Sequence, residues 1–300
     1  MGLPFYLQNS KLTYMELRKA TRKKAKIRLG LSAVSGGGKT YSALLIAHGI
    51  CGDWSKVAII DSENNSADLY AHLGDFNVLP IAAPFSPERY VEAIRACEKA
   101  GMEVIIIDSI THEWDGKGGC LDIVEQLGGK YQDWAKVTPR HQGFIEAILQ
   151  SPSHIITTVR RKQDYEMTKV DGRVKVEKGG LKEITREGFE YELTINLELD
   201  TKHNAITSKD RTGLFMGKPA FVPSEKTGAL IAEWCEQGEE VFNLIKPGSD
   251  WYGKVEQCGS QKELVELYNA NKADVDSNPL LQQLISNRRA QINGKTLSAA

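Results

Sequence analysis

The stretch Ile27-Arg28-Leu29-Gly30-Leu31-Ser32-Ala33-Val34-Ser35-Gly36-Gly37-Gly38-Lys39-Thr40-Tyr41 decides the fold of this chain, because it reads as a buried strand running into a glycine loop and then a helix. Glycines at 36, 37 and 38 let consecutive backbone N–H groups turn toward one anion, and the helix beginning near Lys39 aims its positive dipole end at the same point. Such a site expects a polyphosphate. Lys39 would reach the β- and γ-phosphates, Thr40 would hold Mg2+ through its hydroxyl, and the Tyr41 backbone N–H would cap the α-phosphate side, with Ser35, Gly36, Gly37 and Gly38 as the cradle. The pattern A/G-x4-G-K-S/T arises by chance in roughly one chain in forty of this length, so the competing reading, a plain glycine turn, is weak. Ala33 stands where the pattern usually begins with glycine, which is acceptable where the backbone keeps φ negative.

Composition bounds the rest. With 300 residues, 41% hydrophobic and 26% charged, the chain is long enough for one large core and a small appended unit. A formal net charge of −1 gives no global attraction to nucleic acid, so any such binding must come from local basic patches. The five cysteines, Cys51, Cys97, Cys120, Cys235 and Cys258, show no C-x-x-C pairing and no histidine clustering near them, and they read as reduced thiols rather than metal ligands. No apolar run approaches the ~20 residues of a membrane span. The expectation is a soluble cytoplasmic protein with no membrane partner.

Residues 1–24 form a lead segment in which a short apolar stripe, Tyr14, Met15, Leu17 and Ala20, precedes a cationic run that ends at Arg28. The run is either a solvated face or a nucleic-acid or subunit contact. Val57-Ala58-Ile59-Ile60 is a short buried strand ending in Asp61-Ser62-Glu63. Ser86-Pro87 starts a helix, with serine capping and Val91, Ile94, Ala96 and Cys97 inward. Val104 to Ile107 is an apolar strand that delivers Asp108 at its C-terminal end, where open α/β sheets bind ligands, and Asp108 is therefore the second metal candidate beside Thr40. A helix over 142–149 and a strand over His154–Val159 follow, the latter ending in Arg160-Arg161-Lys162. From 163 to 200 the texture turns to polar β-prone hairpins, one turning at Asp171-Gly172, and eight Lys or Arg face four Asp or Glu between 160 and 182. A strand over Asn204–Ser208 leads into Lys209-Asp210-Arg211-Thr212-Gly213. Beyond 218 the chain reads as helical, with a capping box at Ser260-Gln261-Lys262-Glu263 and a final helix from Asn278-Pro279 that turns Leu280, Leu281, Leu284 and Ile285 inward.

The stretch Ile59-Ile60-Asp61-Ser62-Glu63, with Tyr70 seven residues beyond the glutamate, resembles the RecA recombinase family, as does the strand closing in Asp108-Ser109. By that resemblance Glu63 activates the attacking water and Tyr70 stacks on adenine, while Thr157 and Thr158 stand where RecA carries an Asn-Gln pair that senses the γ-phosphate. Asp108 to Trp114, Thr157 to Lys162, Glu190-Tyr191-Glu192 and Ser208 to Phe215 are similar to phage-encoded RecA-core ATPases of AAA type, a group that includes single-strand annealing recombinases. The pair His112-Glu113 lacks H-E-x-x-H spacing and reads as a polar loop packed near Mg2+.

The expected architecture is α/β: a RecA-like P-loop NTPase core over 25–217 with a mostly parallel central sheet, a basic oligomerisation segment over 1–24 and a C-terminal helical region over 218–300. The expected activity is DNA-stimulated hydrolysis of ATP with Mg2+, supporting single-strand annealing or strand exchange in a homo-oligomer, ring or filament. Glu63 is the base, and Lys39, Lys209 and Arg211 are the cations at the γ-phosphate. The last two act in trans, as the resemblance of Ser208–Gly213 to the trans-acting stretch of RecA-like proteins implies. A small-molecule P-loop kinase would share the cradle but need a hydroxyl acceptor and a basic lid. A nucleotide-gated scaffold would bind ATP without turnover.

Overall fold

Val57–Ile60 and Val104–Ile107 carry no polar side chain, and strands of that kind must be covered on both faces, which a parallel sheet with crossover helices provides. The structure, a computed structural model, describes residues 22–170, 173–238, 250–272 and scattered positions from 275 to 292. In chain order the core elements are β1 (Arg28–Ala33), α1 (Lys39–Cys51), β2 (Val57–Asp61), β3 (Asn77–Pro80), α2 (Pro87–Lys99), β4 (Val104–Asp108), α3 (Thr111–Asp115), α4 (Cys120–Gln126) and α5 (Trp134–Gln150). They continue with β5 (His154–Val170), β6 (Arg173–Glu183), α6 (Phe189–Glu192), β7 (Ile195–Leu199), β8 (Ala205–Asp210) and α7 (Glu225–Glu236).

Among the described residues the strands form one sheet in the order β3-β2-β4-β5-β1-β7-β8, with β6 paired to β5 off that path. Every pairing from β3 to β7 is parallel, and only the β7–β8 edge and the β5–β6 ribbon are antiparallel. Alternate side chains of each strand go to opposite faces. Leu29, Leu31, Ile59, Ile106 and Ile156 join α1 and α7 on one face, while Ile60, Ile105, Ile107 and Ile155 join α2 and α5 on the other. The register brings the ends of β1, β2 and β4 level with Arg160 of β5: Ala33 pairs with Arg160, and Asp61 with Asp108.

Several local expectations shift. Helix α2 opens on Pro87 with no side-chain cap from Ser86, and its buried face is Tyr90, Ala93, Ile94 and Cys97, leaving Ala96 outward. The helix expected over 142–149 begins at Trp134, and the strand expected to end at Val159 runs on to Val170 as one arm of the ribbon. The turn at Asp171-Gly172 lies outside the described residues.

The compact core runs from Lys24 to Gln237, past the boundary expected at 217. The reason is α7, whose Thr227, Gly228, Ile231 and Cys235 are buried, Ile231 and Cys235 in the core shared with α1. Two glycines allow that approach: a Cβ on Gly49 would lie 2.0 Å from the Glu225 carbonyl oxygen, and one on Gly228 would lie 2.2 Å from that of Ile46. The strand side of this corner is tied down by the Ala25 N–H, which donates to the Cys235 carbonyl at 2.9 Å.

A second unit comprises 1–23 and 238–300, of which 1–21 and 239–249 lie outside the described residues, so the expected oligomerisation segment is not described. Helices α8 (Asp250–Gln257) and α9 (Gln261–Ala270) bury Val255, Cys258 and Leu264 against Leu284 and Ile285. The capping box forms as read, with the Glu263 N–H donating to the Ser260 hydroxyl at 3.3 Å and the Ser260 N–H to the Glu263 carboxylate at 3.3 Å. Asn278, Pro279 and Leu280 lie outside the described residues, whereas Leu281 is buried.

Gly228→Ala should lower stability by about 1–3 kcal/mol, because the new methyl meets backbone rather than a side chain that can rotate away. Denaturant titration reads this as a lower midpoint at unchanged slope. An unchanged midpoint would mean that α1 and α7 do not touch here.

Candidate active site

The glycine loop leaves β1 at Ala33 and enters α1 at Lys39. Gly36 and Gly38 sit in the left-handed region at φ 78° and 81°, where a side chain would strain the backbone. Gly37 has a different constraint, since a Cβ there would lie 2.7 Å from the Ala33 Cβ. Ala33 belongs to the extended end of β1, so the alanine that departs from the usual pattern fits its backbone and makes Gly37 obligatory. Gly38 is closed on its flank as well: a Cβ there would lie 2.6 Å from His203 Nδ1, in the turn between β7 and β8.

Lys39 is buried and folds back over the loop, its Nζ donating to the Val34 carbonyl at 3.2 Å and the Ala33 carbonyl at 3.4 Å. Burial holds its pKa below the usual lysine range, against the opposing charge of Asp108. The Thr40 hydroxyl donates to Asp108 Oδ2 at 2.5 Å, and the Thr158 hydroxyl donates to Oδ1 at 2.5 Å. Burial raises the Asp108 pKa, and these two hydrogen bonds oppose the rise. Thr158 thus orients the carboxylate, while the Thr157 hydroxyl is spent on the Leu29 carbonyl at 3.4 Å.

Glu63 is positioned by Asp61, Ser109 and Arg160. Asp61 Oδ1 accepts the Glu63 N–H at 2.6 Å and its Oδ2 accepts the Ala67 N–H at 2.9 Å, which fixes the turn that follows β2. The Glu63 carboxylate accepts from the Ser109 hydroxyl at 2.8 Å and pairs with the Arg160 guanidinium. Arg160 stands there because β5 lies between β4 and β1, in register with Ala33. Its N–H donates to the Thr111 hydroxyl at 2.9 Å, tying β5 to α3. Tyr70 lies on the same side, its ring centroid 6.0 Å from that of Tyr41.

Lys209 and Arg211 are elsewhere. The Arg211 N–H donates to the Thr194 carbonyl, whose own N–H donates to the Arg28 carbonyl, so Arg211 lies level with the entrance of β1, while Lys209, paired with Asn196 and through it with Gly30, lies partway along that strand. The chain's own phosphate loop begins at the exit, at about 3.3 Å per residue roughly 17 Å along the strand from the level of Arg211 and roughly 10 Å from that of Lys209. Lys209 Nζ donates to the Tyr191 carbonyl, as does Arg211 Nη2 at 3.2 Å. Asp210 takes no part in an ion pair with Arg211; its carboxylate accepts N–H groups from Thr212, Gly213, Phe215 and Met216.

Two readings need correction. Glu113 does not face the metal candidates Thr40 and Asp108: it is buried against His141 and Cys120. Cys120, read as a thiol with no histidine nearby, has its Sγ 3.9 Å from His141 Nδ1. Sequence spacing could not reveal this, because three helices bring the residues together. His112 donates or accepts at the Ser62 hydroxyl, 2.9 Å away.

A glycine cradle closing a parallel strand, a lysine and a hydroxyl at the helix start, and a buried carboxylate two strands away together define a P-loop nucleotide-binding ATPase core. Compared with known protein families, residues 25–222 match the AAA domain, and the chain belongs to that family. No curated protein matches it. Among the described residues no helix is long and apolar enough to cross a membrane.

The donor set fits Mg2+ beside a triphosphate: Thr40 and Asp108 already converge, and the loop offers N–H groups where a Cβ would not fit. Bound Mg2+ would supply charge neutralisation on the phosphate oxygens. Lys39 can exchange its two loop carbonyls for phosphate, whereas Glu63 can hold a water only when its oxygens are not both engaged. Glu63→Gln is therefore expected to bind ATP normally while turnover falls by about 10²-fold or more, and Lys39→Ala to lose binding as well. Equilibrium nucleotide binding and phosphate release separate the two, and near-parental hydrolysis by the glutamine variant would remove Glu63 from the role of base.

Proposed function

We propose that this AAA-domain chain hydrolyses ATP in response to single-stranded DNA and supports annealing or strand exchange in phage-type recombination. The observation that carries the reading is the Glu63–Arg160 ion pair. Arg160 is the last residue of β5 to pair with β1, and the same strand then continues into the β5–β6 ribbon. That span, 160–182, holds eight Lys or Arg against four Asp or Glu in a chain of net charge −1. A polyanion drawn to the ribbon would thus act on the strand that carries the partner of the base. Contact with phosphates releases counterions, so affinity for single-stranded DNA should fall steeply with salt.

Arg161 is tied to Glu198 at 2.7 Å and to the Leu181 carbonyl at 2.7 Å, so it is a poor choice for testing DNA contact. Neutralising Lys162, Lys169 and Arg173 together should abolish stimulation by single-stranded DNA and leave DNA-independent hydrolysis intact. Each lost phosphate contact should reduce the log–log salt slope by roughly one unit. ATP turnover in the parent that does not respond to single-stranded DNA would reject the reading.

The same reading makes the active species a homo-oligomer in which Lys209 and Arg211 serve a neighbour's γ-phosphate. Its support is their distance from the chain's own cradle together with the suitability of a guanidinium fork for phosphate oxygens. Arg211→Ala should bind ATP yet be nearly inactive alone, and mixing it with Lys39→Ala chains should restore part of the hydrolysis. Mixed assemblies that form but give only the sum of two inactive proteins would exclude the trans role.

A further inference from the structure

On the α2–α5 side of the molecule, away from the glycine loop, three helices bring a carboxylate, a thiol and an imidazole to one point. Glu113 comes from α3, Cys120 opens α4 and His141 lies in the middle of α5. Their relative exposures are 1%, 0% and 3%, so all three are removed from water. Among the described residues, the ion-pairing contact to Glu113 comes from His141 alone. A carboxylate buried at this depth is costly unless its charge is matched.

The distances have a specific form. Cys120 Sγ lies 3.1 Å from Glu113 Oε1, His141 Nδ1 lies 3.0 Å from the same oxygen, and Sγ and Nδ1 stand 3.9 Å apart. A point about 2 Å from all three atoms exists at the centre of this triangle, which matches Zn–N and Zn–O bonds and needs only a small displacement for the longer Zn–S bond. Glu113 Oε2 is 3.2 Å from Nδ1, so the carboxylate can supply a second oxygen and complete four donors. Burial beside Glu113 drives the Cys120 thiol pKa far above its usual value in the absence of a cation. A divalent ion reverses that balance: thiolate and carboxylate together neutralise its two charges, the imidazole binds neutral, and the thiol proton leaves to solvent.

We propose that Glu113, Cys120 and His141 form a structural Zn2+ site. Thiolate, imidazole and carboxylate are the donor types that Zn2+ takes, whereas Mg2+ and Ca2+ prefer all-oxygen sets. The closed setting, walled by Val124, Val137 and the stacked Trp114 and Trp134, suits a metal that holds structure rather than one that must admit substrate.

The test uses the full chain purified without a metal-binding tag. Elemental analysis should find about one zinc per chain, falling below about a tenth in Cys120→Ser. Chelator-treated protein titrated with Co2+ should develop a thiolate-to-cobalt charge-transfer band that Cys120→Ser lacks and Cys51→Ser retains. Readdition of Zn2+ alone should raise the thermal midpoint of the chelated parent. If Cys120→Ser does not fold, the cobalt spectrum of the parent and of His141→Gln decides. A parent with neither stoichiometric zinc nor a cobalt–thiolate band, or a band that persists in a folded Cys120→Ser, would falsify the site and leave a hydrogen-bonded cluster.

Discussion

Parallel register is the constraint on which the site depends. Strands that run the same way reach the same edge, and the pairings Ala33 with Arg160 and Asp61 with Asp108 leave the loops after β1, β2 and β4 beginning beside Arg160 of β5. Each strand then contributes one group: the phosphate cradle after β1, the Glu63 turn after β2, the Ser109 hydroxyl after β4 and Arg160 within β5. A strand slipped by one residue would exchange its side chains between two close-packed cores shaped for others, so the packing on both sides of the sheet enforces the alignment of these strand ends. The site is thus held by packing far larger than the site itself.

Within that frame the polar groups are arranged in pairs that fix one another. Asp108 has both oxygens occupied by threonine hydroxyls, so its direction is set before any ion arrives. Glu63 is held instead by Ser109 and by a half-exposed arginine whose strand leaves the sheet. Asp108 is locked by short buried side chains, and Glu63 is held in part by a long, half-exposed one.

What could be read from the sequence was what is local. The strand, glycine loop and helix around residues 28–51 follow from short-range chemistry, and Asp108 follows from an apolar strand that ends in a carboxylate. The close packing of α7 on α1 could not be read locally, because Gly49 and Gly228 are ordinary helix residues until two helices cross at them. The Cys120–His141 approach was invisible for the same reason, since the residues lie far apart in sequence and meet only through the packing of α4 on α5. Arg160 was seen as one of a cationic run, and only the strand order places it opposite Glu63. The Ser62 hydroxyl accepts the Ser109 N–H at 2.9 Å, a contact between two strand ends that neither local stretch signals.

Three consecutive glycines should make a floppy loop, because glycine has more backbone freedom to lose than any other residue. Here the loop is hemmed in: the Ala33 methyl fills the space a side chain on Gly37 would need, the His203 ring that on Gly38, and the Gly37 N–H donates to the Val34 carbonyl at 3.1 Å. The ordering entropy of the loop is therefore charged to folding rather than to ligand capture, and a phosphate meets a concavity that is already shaped. The turn carrying His203, itself pinned by Asp200 to the N–H groups of Lys202 and Asn204, makes the antiparallel edge of the sheet a preorganising brace for a loop that the parallel strands present.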